Sequence, residues 1–205
     1  MLKWLFFDLG STLLNESESV RLRIETTALQ NGLDPAAFEA MLAEAARKHP
    51  YALQMELPGG IAWEPWPKRP DPLYPGVPEM LAALRGTYKL GIIANQSPGT
   101  QDRLRAWGIA QYFDVIASSA EKGCKKPDPR IFTLALEQAG CLPGEAAMIG
   151  DRLDNDIAPA KKLGMRTIWV RQGWGGAPEP TGEADTPDAA VRDVLKVPEA
   201  LERLR

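Results

Sequence analysis

The feature that most constrains this chain is a set of short apolar runs, each cut off at a polar or glycine-rich turn. They are Lys3–Asp8, Tyr88–Asn95, Phe113–Ser118, Ala146–Asp151 and Thr167–Arg171. Most are apolar nearly throughout and rich in β-branched or large side chains. That pattern belongs to strands buried on both faces of a parallel sheet. Helical segments lie between them. Pro78–Arg85 follows the turn Tyr74-Pro75-Gly76. Pro98–Trp107 is expected to open with Ser97 as N-cap and Pro98 in the first helical position. Pro129–Ala139 has Asp128 as cap, Pro129 just inside it and Gly140 just beyond its end. A further helix after Asp151 stops at Gly164. Pro159 must lie in its first turn, since a later proline would remove a backbone hydrogen bond, so its start is expected near Asn155 or Asp156. Strands alternating with helices imply right-handed βαβ units and an α/β fold doubly wound on a parallel sheet. The strand ending at Asp8 is expected between those ending at Asn95 and Asp151.

One stretch breaks the alternation. Glu16–Asn31 and Asp34–Lys48 both read as helices with no strand between them. Pro50–Pro75 follows, heavy in Pro and Trp and poor in periodicity. The expectation is a core formed by residues 1–13 and 76–205, with residues 14–75 as a small, mainly helical cap. A length of 205 residues suits one domain with such an insert.

The net charge of −3 and the lack of a basic block give no reason to expect nucleic acid or an anionic membrane as partner. The first apolar run stops at Asp8, too short for a signal peptide, and no later run reaches the length of a membrane span. Cys124 and Cys141 lack metal-ligand spacing. The only histidine, His49, stands at a predicted helix end before Pro50. Reduced thiols and a cytoplasmic location are expected.

In a doubly wound sheet, functional groups gather beyond the carboxyl ends of the strands. Here those ends carry Asp8, Asn95 and Asp151, and Lys126 stands just before a helix. A lone aspartate after a strand is usually a turn residue, and a lone lysine is usually a solvated one. The weight of the argument is in their joint order. Two carboxylates on adjacent strand ends repel unless a cation lies between them. Asp8 and Asp151 are therefore expected to hold a hard divalent ion, Mg²⁺. Lys126 adds a fixed positive charge, and the backbone N–H groups of residues 9–12 add donors. The result suits a dianionic phosphoryl group beside a carboxylate nucleophile.

These motifs resemble those of the haloacid dehalogenase superfamily, in the branch whose helical cap follows the first strand. The family's first motif, Asp-x-Asp-Gly-Thr, corresponds to Asp8-Leu9-Gly10-Ser11-Thr12. Its second, an apolar strand ending in Ser or Thr and commonly followed by Asn, corresponds to Gly91-Ile92-Ile93-Ala94-Asn95. Its third, a lysine in Lys-Pro-Asp-Pro, corresponds to Lys126-Pro127-Asp128-Pro129. Its fourth, Gly-Asp and a second acid, corresponds to Gly150-Asp151 and Asp156. The resemblance implies a Mg²⁺-dependent phosphohydrolase acting on a small phosphorylated metabolite. Asp8 would attack phosphorus and become an aspartyl phosphate. Asp8, the Gly10 carbonyl and Asp151 would hold the metal, with Asp156 supporting them. Lys126 would hold Asp8 and the phosphoryl oxygens.

Two departures stand out. Gly10 occupies the place of the family's general acid/base carboxylate, a group worth ~10²–10⁴ in rate. Ala94 occupies the place of the phosphate-binding hydroxyl. Gly10 still offers its carbonyl, and Asn95 and Ser11 remain as phosphate-binding groups. Ser11 and Ser97 are the hydroxyls near enough in sequence to compensate, although each has an ordinary turn or cap role. The loss implies an enzyme confined to good leaving groups. Two other readings compete: a catalytically weak binding or regulatory protein on the same fold, and a 2-haloacid dehalogenase, which would leave Asp151 and Asp156 unused. Trp63, Trp66 and Tyr74 are read either as the small core of the cap or as a cover over the substrate.

Overall fold

The computed structural model describes residues 1–48, 53 and 55–204; His49 lies outside them. Six strands form one parallel sheet in the order β3-β2-β1-β4-β5-β6. They are β1 (Trp4–Phe7), β2 (Lys89–Ala94), β3 (Val115–Ser118), β4 (Ala146–Gly150), β5 (Arg166–Val170) and β6 (Ala189–Val191). β1 lies between β2 and β4, with Phe7 level with Ile92 on one side and Ile149 on the other. The chain therefore winds outward in both directions from β1, and β1 is the switch point where such sheets bind ligands.

Why these runs form strands is visible in their burial. Leu5, Phe7, Leu90, Ile92, Ala147 and Ile149 face one helical layer, made by α3 (Val77–Arg85), α4 (Thr100–Ala106) and α8 (Val197–Arg203). Phe6, Ile93, Ala146 and Met148 face the other layer, where α6 (Pro129–Ala139) and α7 (Ala158–Lys162) pack. Both faces are dry, so alternation cannot appear in the sequence and the runs read as continuously apolar. A short α5 (Ser119–Lys122) follows β3.

The stretch after β1 carries α1 (Ser17–Gln30) and α2 (Pro35–Ala46). α2 is capped as its sequence suggests, with the Asp34 carboxylate accepting from the Ala37 N–H at 2.8 Å. The two helices bury their own cluster, including Val20, Ile24, Phe38 and Leu42, apart from the sheet's core. The chain enters and leaves this lobe through one neck. Asn15 N–H donates to Pro72 O at 2.7 Å, and Tyr74 N–H donates to Leu13 O at 2.9 Å.

Two expected helix starts are corrected. α4 begins at Thr100 rather than Pro98, and Ser97 is not its cap. Gly99 turns the chain at φ 84°, and the Glu121 carboxylate from α5 accepts from both Gly99 N–H (3.1 Å) and Thr100 N–H (3.3 Å). A cap supplied by another element leaves no local signature. The helix after Asp151 begins earlier than expected, with a π-turn over Leu153–Ile157 before α7. Asp156 folds back within this turn to accept from the Arg152 N–H at 3.0 Å, and Pro159 falls in the first turn of α7. β6 and α8 were not anticipated at all.

Candidate active site

Asp8 follows β1 directly, and its N–H continues the ladder to Ile149 O at 2.9 Å. Its carboxylate accepts from Lys126 Nζ at 2.6 Å, and the same ammonium donates to Asp156 Oδ1 at 2.5 Å. Lys126 is 3% exposed. Its backbone is clamped by Asn95, whose side-chain oxygen accepts from Lys126 N–H at 2.8 Å and whose amide donates to Lys126 O at 2.9 Å. Asn95 thus spends its side chain on placing Lys126, and its backbone is what it can offer a ligand. Asp151 follows β4, its carbonyl accepting from the Trp169 indole at 2.7 Å. Carboxylate oxygens of Asp8, Asp151 and Asp156 lie within 4.8 Å of one another.

In this cluster Asp8, Asp151 and Asp156 meet the one ammonium of Lys126, and the electrostatics reflect the imbalance. Burial, followed by repulsion from Asp156, Asp8 and Glu16, pushes the Asp151 carboxyl well above the usual carboxylate range. Burial also lifts Asp156, to about 6, against the pull of Lys126. For Lys126 burial alone would lower the pKa, but the attraction of Asp156 and Asp8 outweighs it and raises it. A cluster of hard oxygen donors with surplus negative charge suits a divalent cation of the Mg²⁺ class, so the residues present fit such an ion.

The loop after Asp8 is held in an uncommon shape. Ser11 has φ 54°, a left-handed conformation costly for a side chain with a Cβ. Gln172 secures it, donating from Nε2 to Ser11 O (3.2 Å) and Thr12 O (3.4 Å) while its Oε1 takes the Val194 N–H. Gly10 is not in the left-handed region. What meets it is Glu16: a Cβ on Gly10 would stand 2.7 and 2.8 Å from the two Glu16 carboxyl oxygens. The Ser11 hydroxyl donates to Glu16 Oε2 at 2.9 Å. Burial raises this carboxyl to about 7; the Ser11 bond opposes that shift, and Asp8 and Asp71 add to it.

Asp8, Gly10, Ser11, Asn95, Lys126, Asp151 and Asp156 therefore all line one cleft of about 940 Å³ at the carboxyl end of the sheet. Ser97 lines it too, and its carbonyl accepts from Thr100 and Arg103. Ala94 is fully buried in the core. The three aromatics divide. Trp63 belongs to the lobe's core beside Phe38, with its indole donating to Met55 O at 3.0 Å. Tyr74 packs on the sheet's core. Trp66 is exposed and lines the cleft, with the Arg23 guanidinium over its ring at 5.6 Å. Arg152, also in the cleft wall, pairs with Asp154 at 2.6 Å. The residue that sequence reasoning missed is Glu16. It read as an ordinary first residue of a helix, and no motif marks it.

The chain matches the haloacid dehalogenase-like hydrolases over residues 2–164. It is 37% identical over 132 residues to a phosphoserine phosphatase of Thermus thermophilus, covering 63% of this chain and 51% of that protein. It is 31% identical over 198 residues to a glyceraldehyde 3-phosphate phosphatase of Pyrococcus abyssi, covering 84% and 83%. Against the first of these the chain spans about half the relative's length. Among solved structures, a HAD phosphatase from Thermococcus onnurineus shares the fold at TM-score 0.64 and 23% identity, covering 98% of both chains. A 2-haloacid dehalogenase from Pseudomonas syringae does so at TM-score 0.68 and 23% identity, covering 100% of both. With the family's four motif positions gathered in one cleft at the switch point of its sheet, the chain belongs to the haloacid dehalogenase-like hydrolases.

Proposed function

We propose that the protein is a Mg²⁺-dependent phosphohydrolase of the cytoplasm that acts on a small phosphorylated metabolite through an aspartyl-phosphate intermediate. The observation that carries this reading is the buried Lys126 ammonium, which bonds Asp8 and Asp156 at once while Asp151 stands within reach of both. Lys126 fixes the Asp8 oxygen and offers a positive charge to phosphoryl oxygens. The N–H groups of residues 9–12 add donors, along with the Asn95 backbone. Asp8, Asp151 and the Gly10 carbonyl are the ligands for Mg²⁺, and Asp156 supports them. When bound, the ion neutralises phosphoryl charge and brings phosphorus up to the Asp8 oxygen. Catalysis at such a site is mostly positioning and charge compensation. The phosphatase names of the two sequence relatives support the phosphoryl reading, and both names denote small phosphate esters. Residues 14–75 act as the cap, and Trp66 stands where it can exclude water.

The test is a screen of phosphorylated metabolites with and without Mg²⁺, alongside Asp8→Asn. The expected outcome is metal-dependent phosphate release that Asp8→Asn abolishes while leaving thermal unfolding cooperative. Residual turnover in that variant would rule out the covalent route. Halide release from 2-haloacids without metal would favour the dehalogenase chemistry instead.

A further inference from the structure

The site as described has a nucleophile, a cation and a place for a metal, but no group at position 10 to move the proton. We propose that Glu16 supplies the carboxyl that protonates the leaving oxygen and then deprotonates the attacking water, in place of a side chain at position 10. This rests on the phosphohydrolase reading above.

The first support is volume. The three atoms nearest to a Cβ built on Gly10 are all in the Glu16 carboxyl group, at 2.7, 2.8 and 3.0 Å. A carboxyl from the following helix thus fills the space into which a side chain at position 10 would project. Backbone conformation does not demand the glycine, since Gly10 has no left-handed φ. The second support is that the Glu16 side chain has no helical task, although its carbonyl accepts from Val20 N–H at 2.8 Å. It occupies the N-cap of α1, yet its side chain accepts no hydrogen bond from the helix. Cap residues are selected for that bond; here Asn15 Oδ1 instead takes the Ser17 N–H (3.2 Å) and hydroxyl (2.6 Å). The third support is orientation. Ser11 Oγ holds Oε2, and among the described residues no hydrogen bond engages Oε1, on a side chain that lines the cleft beside Asp8. Stability does not account for the placement, because burying a carboxyl near Asp8 that has no ion-pair partner among the described residues is unfavourable.

In the first step an Asp8 oxygen bonds to phosphorus and the phosphorus–oxygen ester bond breaks. The ester's electron pair stays on the leaving oxygen, which takes the proton from Glu16. In the second step a water oxygen bonds to phosphorus and gives its proton to the Glu16 carboxylate. The phosphorus–Asp8 bond breaks and its pair returns to Asp8. Ester and water become alcohol and phosphate, and both carboxyls are restored.

The experiment compares an alkyl with an aryl phosphate under Mg²⁺. It uses wild type, Glu16→Gln, Glu16→Ala, the pair Gly10→Asp/Glu16→Ala, and Asp8→Asn. Because kcat/KM reports the first step, Glu16→Gln should lower it by ~10²–10⁴ for the alkyl ester. For the aryl ester, which leaves as a stabilised anion, the fall should stay below about tenfold. Its second step should slow for both substrates, giving a burst of one phenol per chain in rapid mixing. Gly10→Asp/Glu16→Ala should recover at least about tenfold of the alkyl rate lost in Glu16→Ala, because the vacated space admits the new carboxyl. Equal losses on both esters without a burst would overturn the assignment, and so would an undiminished alkyl rate in Glu16→Gln. These failures leave the Asp8 mechanism standing if Asp8→Asn is inactive. A wild-type protein with no phosphatase turnover would overturn the phosphohydrolase reading, and this assignment with it.

Discussion

The loops after β1 and β4 are built alike and end differently. Gly10, in the loop two residues past Asp8, and Gly150, the last residue of β4, each meet a carboxylate from six residues on, Glu16 or Asp156. In each case that carboxylate fills the space where the glycine lacks a Cβ. The difference is in what braces it. Asp156 is held from two sides, by the Lys126 ammonium at 2.5 Å and the Arg152 N–H at 3.0 Å. Glu16 is held at one oxygen by a hydroxyl. A carboxylate braced by a cation and a backbone donor takes up a proton only by giving up an ion pair. One tethered by a neutral hydroxyl can gain and lose a proton without breaking an ion pair. One loop arrangement thus serves two purposes, set by the partners it meets.

Removing the brace itself should have the largest effect. Lys126→Met leaves the buried carboxylates without their cation, and should cost about 3–5 kcal/mol in urea unfolding, as breaking a buried pair does. A cost below about 1 kcal/mol would mean that Asp8, Asp151 and Asp156 tolerate one another without Lys126, and the contrast with Glu16 would collapse.

The next effect concerns Glu16 and pH. Its folded carboxyl is raised to about 7 from 4.5, so the penalty for ionising it is absent below the unfolded value and complete above the folded one. Without divalent metal, wild type should therefore lose stability relative to Glu16→Gln as pH rises from about 4.5 through 7, by on the order of 1–3 kcal/mol. A stability difference that stays flat with pH would show that Glu16 is ionised and solvated in the folded chain.

The two glycines sharpen the comparison further. At Gly150 an added Cβ would collide with Asp156 as far back as its own Cβ, at 2.6 Å, where nothing can swing aside. Gly150→Ala should cost about 1–3 kcal/mol, as overpacking does. At Gly10 the obstacle is the far end of a flexible side chain. Gly10→Ala should cost less than about 1 kcal/mol in chemical denaturation, with Glu16 displaced. Equal costs would show that Glu16 is as rigidly seated as Asp156.

The sheet was legible because its strands are buried on both faces, so Phe6 and Phe7 are equally apolar although they point to opposite helical layers. The motif residues were legible as a set, by their order at strand ends. What stayed hidden was whatever depends on side-chain contacts that no motif or period marks. The capping of α4 by Glu121 and the π-turn over Leu153–Ile157 reset two helix starts. β6 is three residues long, too short for any period to register. Glu16 carries no local mark, because its significance is the gap left by Gly10, which only the fold brings next to it.

The stretch from Gln172 to Gly175 lies beyond residue 164, where the match to the haloacid dehalogenase-like hydrolases ends, although solved structures of the fold run through it. Yet Gln172 props the carbonyls of Ser11 and Thr12, Trp174 leans on the core of the helical lobe, and Gly175 presses so closely on Asp151 that a Cβ there would overlap its carboxylate. A fragment ending at residue 164 would keep every residue named here for chemistry and lose the contacts that tie nucleophile loop, lobe and Asp151 together.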